Sequence, residues 1–267
     1  MFDLLASAPA FLQTWWGMLL FVVADIALLL AILALNYRFF AKRLLDILFS
    51  AAMLVLFSPF FAGFAIAQAL RARRQGGAVF EQKTYAGKNA KPVSLSLFAL
   101  SDADDVLDRI LAVSGMRYYP ALAAVFLGRF SFIGPKPFTL PDSAATGEDA
   151  FVRFSVRPGL FSSLERFGGK SLTYPDLFEE DAEYAAHFTL FGDVACFFAG
   201  LCAHFRGEEG QKYGVCEQTG YVDWLLAEGE ITEEEAKAYA DRAHARLKGY
   251  EERERDRKNF ADFNAFK

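Results

Sequence analysis

The sequence is short of the residues that most often do chemistry. Among 267 residues there are three cysteines and three histidines, and no Asp, Glu, His or Cys lies between Arg109 and Pro141. Cys196, Cys202 and Cys216 are too few and too irregularly spaced for a disulfide framework, which favours a reducing compartment. With His204 they could be drawn as a zinc set, but paired C-x-x-C spacing is missing and buried thiols in a Phe-rich helix are the simpler reading. Net positive charge is also missing: the formal charge of −5 supplies no basic footprint, so nucleic acid is discounted as a partner.

Apolar residues, in contrast, make up 54% of the chain, mostly before Leu70, while charge crowds the last third. That division predicts a membrane-embedded front and a water-exposed back. WWGMLLFVVADIALLLAILAL, Trp15 to Leu35, matches the ~20 residues a helix needs to cross a bilayer. Trp15 and Trp16 form a belt at one end, and Arg38, Lys42 and Arg43 follow the other, which the positive-inside rule places in the cytoplasm. A cleaved signal peptide is disfavoured because the basic residues follow the apolar core. Asp25 lies within the span, where an ionised carboxylate costs on the order of 2.5–3.5 kcal/mol. It is expected to face protein or to be protonated, with a contact to the neighbouring segment simpler than a proton relay.

The next apolar run, Leu44 to Leu70, is bounded by Lys42 and Arg43 on one side and by Arg71, Arg73 and Arg74 on the other. A crossing would leave one basic cluster outside. Ser58-Pro59 near its middle removes a helix hydrogen bond and offers a hydroxyl to a freed carbonyl. The pattern predicts a broken helix that dips in and returns, over a kinked spanning helix that would export the globular remainder.

Beyond Arg74, QGGAVFEQKTYAGKNAKPVSLSLF reads as short strands and turns. ALSDADDVLDRILAVSG reads as a helix with Ser101 as its N-cap; Asp102, Asp104, Asp105 and Asp108 suit the helix dipole better than a metal. Gly134-Pro135-Lys136-Pro137 is a stiff turn presenting one cation, and Arg157-Pro158-Gly159 presents another. Two such cations suit phosphate oxygens, and pairing with Asp or Glu is the equal alternative. Ser171 to Cys202 reads as two helices, the second interfacial or in the core. After a polar linker, Gly229 closes one helix and Thr232 with Glu235 makes a capping box for another, whose mixed charges suit a solvated face or a partner. The expected fold is mainly α with a small β element, α+β. Its parts are 1–40, a transmembrane helix; 41–75, a re-entrant helix; 76–206, a cytosolic lobe; and 207–267, a helical extension.

KRLLDILFSAAMLVLFSPFF, AVFEQ, DRIL, P-A-L…F-S-F-I-G-P-K-P, V-R-P-G and the acidic-aromatic helix follow one another in an order that resembles the bacterial sugar transferases, the monotopic polyprenyl-phosphate phosphoglycosyl transferases. The likeness spans roughly Lys42 to Leu201. It implies a re-entrant membrane motif carried by Lys42, Arg43, Asp46, Ser58 and Pro59, with an interfacial lobe at the cytoplasmic face of the bacterial inner membrane. It also implies transfer of a sugar 1-phosphate from a nucleotide sugar to polyprenyl phosphate, by an Asp nucleophile and a Glu that helps bind magnesium. Counted back from the GPKP turn, that pair falls on Arg117 and Tyr118.

Arginine stays protonated and repels Mg²⁺, and a phenol is a poor nucleophile and a poor hard-metal ligand at pH 7. Arg109 and Arg157 match family arginines, and Lys136 replaces a third, so these three are the expected phosphate contacts. The resemblance therefore points to a degenerate homologue, an accessory in exopolysaccharide, capsule or O-antigen assembly that holds polyprenyl phosphate, a nucleotide sugar or an active paralogue, alone or as an oligomer. An active transferase using Asp102, Asp105 or Asp176, with Mg²⁺, is one alternative. A membrane anchor recruiting a partner through its C-terminal helices is another.

Overall fold

The computed structural model describes residues 14–100, 105–164, 173–206 and 220–265. It is mostly helical with two small sheets, an α+β fold, and it divides into two compact units between Leu44 and Leu45.

The first unit holds helix α1, Trp15–Leu35, whose Thr14 hydroxyl accepts from the Gly17 amide at 3.1 Å. Its window Trp15–Ile32 has a mean hydropathy of 2.3 and is only 6% buried, long and apolar enough to cross a membrane. Trp15 and Trp16 lie ring against ring at 3.8 Å. Asp25, expected to face protein or to be protonated, is exposed among the apolar side chains within the described residues of its own unit. A single π-helical turn, Tyr37–Ala41, follows, with the Lys42 ammonium 5.7 Å from the Tyr37 ring.

Helices α2, Lys42–Leu56, and α3, Ser58–Gln75, meet at a 62° bend. The break falls where the sequence placed it. Pro59 sits in the first turn of α3, where its missing N–H leaves no gap, and the Ser58 hydroxyl donates to Val55 O at 2.8 Å.

Long-range bonds fasten the bent pair to the lobe. Buried Asp46 accepts from the Ser131 hydroxyl at 2.7 Å and the Phe132 amide at 3.1 Å. The Tyr119 hydroxyl donates to Leu54 O, and Phe61 stacks on Tyr119 and lies against Phe80 and Phe98. Buried Gln68 donates to Ala99 O at 3.1 Å, and Arg71 donates to the same carbonyl at 3.0 Å and to Asp108 at 2.5 Å. Asp46→Ala should therefore lower stability by about 2–4 kcal/mol, since two buried donors lose their acceptor. Thermal unfolding in detergent micelles checks this, with Asp46→Asn, which keeps an acceptor, losing less.

Strands β1, Phe80–Ala86, and β2, Pro92–Phe98, pair antiparallel in full register, and β4, Phe138–Thr139, adds to the other edge of β1. Strands β3, Ser131–Gly134, and β5, Gly159–Ser162, form a parallel pair. Helices α4, Val106–Val113, and α5, Leu122–Phe126, flank a 3₁₀ turn at Met116–Ala121, and α6 covers Leu140–Ala145. One core joins Tyr85, Leu95 and Leu97 to Val125, Phe130 and Ile133.

The second core joins Phe138 and Leu140 to Tyr174 and Leu177 on α7, Tyr174–His187. Ala243 of α10, Glu233–Ala265, belongs to it, and Tyr221 and Trp224 of α9, Tyr221–Ala227, pack against it. The extension is thus built into the core along one face. Gly229 (φ +76°) and the Thr232–Glu235 capping box turn the chain between α9 and α10, as the sequence indicated. Helix α8, Leu190–Arg206, buries Cys196 and leaves Phe191, Val194 and Phe198 outward.

Candidate functional site

The parallel pair β3/β5 brings the two Pro/Gly turns side by side. Ser131 N donates to Pro158 O at 3.0 Å and Gly159 N donates to Pro135 O at 3.1 Å. A Cβ on Gly134 would lie 2.5 Å from Arg157 O and 2.7 Å from Gly159 N, so glycine serves here for close approach of two backbones.

Lys136, at the tip of the first turn, is buried. Its ammonium lies 5.7 Å from the Tyr174 ring. Burial, then the neighbouring Arg153 guanidinium, lowers its pKa to about 8, against the pull of Asp142 and Asp181. Its carbonyl accepts from Arg153 Nη2 at 2.6 Å. Arg153 also pairs with Asp181 at 2.8 Å and lies 3.4 Å over the Phe138 ring, and the Ser163 hydroxyl donates to Asp181 at 3.2 Å. Burial pushes the Asp181 carboxyl up, while Arg153 and Ser163 pull it down. Sequence reasoning missed Arg153 and Asp181. Asp181 ends an acidic run whose other members look like solvated surface, and nothing local marks it as the buried one.

The other expected phosphate contacts stand on different elements. Arg157 is half-buried and donates from Nε to Gly128 O at 2.7 Å, bracing the turn ahead of β3. Arg109 is exposed on α4.

Arg117 and Tyr118 occupy the 3₁₀ turn. The Arg117 guanidinium is 3.5 Å from a Glu81 carboxylate oxygen and 5.9 Å from the Tyr118 ring. The other Glu81 oxygen is 3.4 Å from the Lys83 ammonium. Arg117 Nε is buried with no hydrogen-bond partner. Glu81 was also missed, although period-2 alternation could have found it: it shares its strand face with Lys83 and Tyr85.

A single carboxylate facing two cations does not fit a divalent metal ion, whose oxygen ligands must outweigh local positive charge. Among the described residues no group of three or more His, Cys, Asp or Glu could hold one. Of the acids weighed for an active site, Asp105 faces Arg71 at 3.8 Å, and Asp108, weighed only as part of a metal cluster, faces the same guanidinium at 2.5 Å, so both are ion-paired. Asp176 caps α7 through Thr173, whose hydroxyl and amide hold its carboxyl below the usual range. Ser101, Asp102, Asp104, Cys216 and the His204 side chain lie outside the described residues. Cys196 is buried near Ser163 O, and Cys202 is exposed.

No family model matches the chain. It is a weak homologue of the exopolysaccharide production protein ExoY of Rhizobium meliloti (strain 1021), 23% identical over 194 residues that cover 61% of this chain and 84% of the relative.

Proposed function

We propose that this is a membrane-held, sugar-transferase-like protein of exopolysaccharide production, working at the cytoplasmic face of a bacterial inner membrane. It binds a phosphate-bearing ligand, polyprenyl phosphate or a nucleotide sugar, and does not transfer it. The observation that carries this is the pairing of Arg117 with Glu81: Arg117 and Tyr118 stand where the resemblance calls for a nucleophile and a metal ligand, and the nearby Glu81 carboxylate is taken up by the arginine. Arginine grips phosphate oxygens but does not attack phosphorus. Such a protein acts as an accessory, holding ligand or an active paralogue.

The membrane side of the reading has separate support. The bent pair begins with Lys42 and Arg43 and ends with Arg71, Arg73 and Arg74, so both of its ends are basic, which supports a helix that enters and returns. Leu48, Val55, Leu56, Phe60 and Ile66 on the pair are exposed, as are Val106, Ile110 and Val113 on α4. Apolar patches of that extent suit a lipid interface.

The test uses purified membranes in which this chain is the sole transferase candidate, given radiolabelled UDP-sugars, Mg²⁺ and undecaprenyl phosphate. No labelled lipid diphosphosugar is expected. Product that forms, and that disappears in Arg157→Ala, makes the chain an active enzyme and ends the proposal.

A further inference from the structure

We infer that Glu81 is a built-in occupant of an anion seat formed by Arg117 and Lys83, and that a phosphate group binds there by displacing it. The inference rests on the reading above, in which Arg117 still holds phosphate, and adds how the seat is closed and opened.

Strand alternation builds the seat. Phe80 is held against Phe61 and Phe98, fixing the start of β1 and turning Glu81 to the opposite face. Lys83, two residues on, points the same way, and the Arg117 turn lies beneath. The three side chains are graded in exposure: Glu81 39%, Lys83 34% and Arg117 12%. A ligand from solvent or headgroups therefore meets the carboxylate first, with the arginine as floor.

The occupant is held loosely. Its two ion pairs, 3.4 and 3.5 Å, are longer than the 2.7–2.9 Å of good charge-assisted hydrogen bonds. Partly exposed pairs of this kind contribute about 0–1 kcal/mol. A phosphate monoester carries about −1.5 to −2 charges against the single charge of Glu81, and can bridge both cations. It can also use the buried, unpartnered Arg117 Nε, which the carboxylate leaves idle. Charge, number of acceptors and one spare donor all favour exchange.

The ligand class is a phosphate monoester or terminal phosphate. Either a soluble or a lipid-borne source carries that chemistry, and the two are told apart by the choice of probe.

The experiment measures binding of two probes to full-length protein in neutral phosphatidylcholine nanodiscs. The soluble probe is UMP; the lipid probe is phosphatidic acid incorporated in the disc. Glu81→Gln should bind one or both about tenfold more tightly than the wild type, the equivalent of two weak ion pairs removed. Lys83→Ala on top of it should reverse most of the gain. A gain for UMP alone identifies a soluble ligand, and a gain for phosphatidic acid alone a lipid one. Equal affinity in wild type and Glu81→Gln overturns the self-occupied seat while leaving phosphate binding intact. Failure of both proteins to bind either probe, with unchanged thermal midpoints, overturns the seat and the phosphate-binding function together.

Discussion

Asp181→Ala should unfold the lobe or leave it barely folded at ambient temperature. Arg153 and Asp181 have side chains 1% and 0% exposed and meet at 2.8 Å. Removing one partner of such a pair leaves an uncompensated buried charge, at a cost of about 3–5 kcal/mol. That approaches the whole stability of a domain at the lower end of the usual ~5–15 kcal/mol. The stranded guanidinium would keep the Phe138 ring at 3.4 Å and the Phe154 and Phe178 rings at 5.6 Å. A desolvated cation–π contact is worth about 2 kcal/mol, too little to compensate. Circular dichroism melting of the protein in detergent gives the readout. Arg153→Met combined with Asp181→Leu should regain much of the loss, since a packed apolar pair replaces an ionic one; a double variant as unstable as Asp181→Ala would show that shape, not charge, fixes the site.

The second large effect is expected at Gly134 and Gly159. Neither has a left-handed φ, so alanine meets no backbone strain there. Space is the obstacle. A Cβ on Gly159 would collide with Gly134 N and Phe161 O, and one on Gly134 with Arg157 O and Gly159 N. All four obstructing atoms are backbone, which cannot swing aside as a side-chain tip can. Either alanine should open the β3/β5 pair and separate the two Pro/Gly turns, costing about 3 kcal/mol or more, among the larger single-residue effects. Amide hydrogen exchange checks it: protection of Gly159 and Ser131 should fall sharply. Gly63→Ala in α3, where nothing lies within 4 Å of the new Cβ, should leave exchange unchanged and favour the helix slightly. Protection retained in Gly159→Ala would refute the close approach.

What could be read from the sequence was local. Ser58-Pro59 breaks a helix by its own chemistry, and the bend falls there. The capping box at Thr232 and Glu235 is a four-residue rule, and it formed. Counting back from GPKP singles out Arg117 and Tyr118, which lie together on one 3₁₀ turn. What escaped was pairing across long separations. Asp46 gave no hint of Ser131, nor Asp181 of Arg153, nor Glu81 of Arg117, because each member looks ordinary in its own segment. Lys136 was expected to face a ligand, yet the fold buries it under Tyr174 and beside Arg153. The C-terminal helices read as a solvated appendage because charge dominates α10, while Ala243, with Leu247 packed beside it, admits the helix to the core.

Four fastenings of the bent helix pair to the lobe run in one direction along the chain. Asp46, Leu54, Gln68 and Arg71 each precede the group they hold: Ser131, Tyr119, Ala99 and Asp108. A ribosome making this protein therefore delivers the whole pair before any of its partners exists, and its polar hooks wait until the later segments arrive. The pair is thus available as a template when those later segments fold. A fragment beginning at Phe80 would be made without that template, with Phe80, Phe98 and Tyr119 deprived of the Phe61 ring that covers them, and would be prone to aggregate in the cytosol.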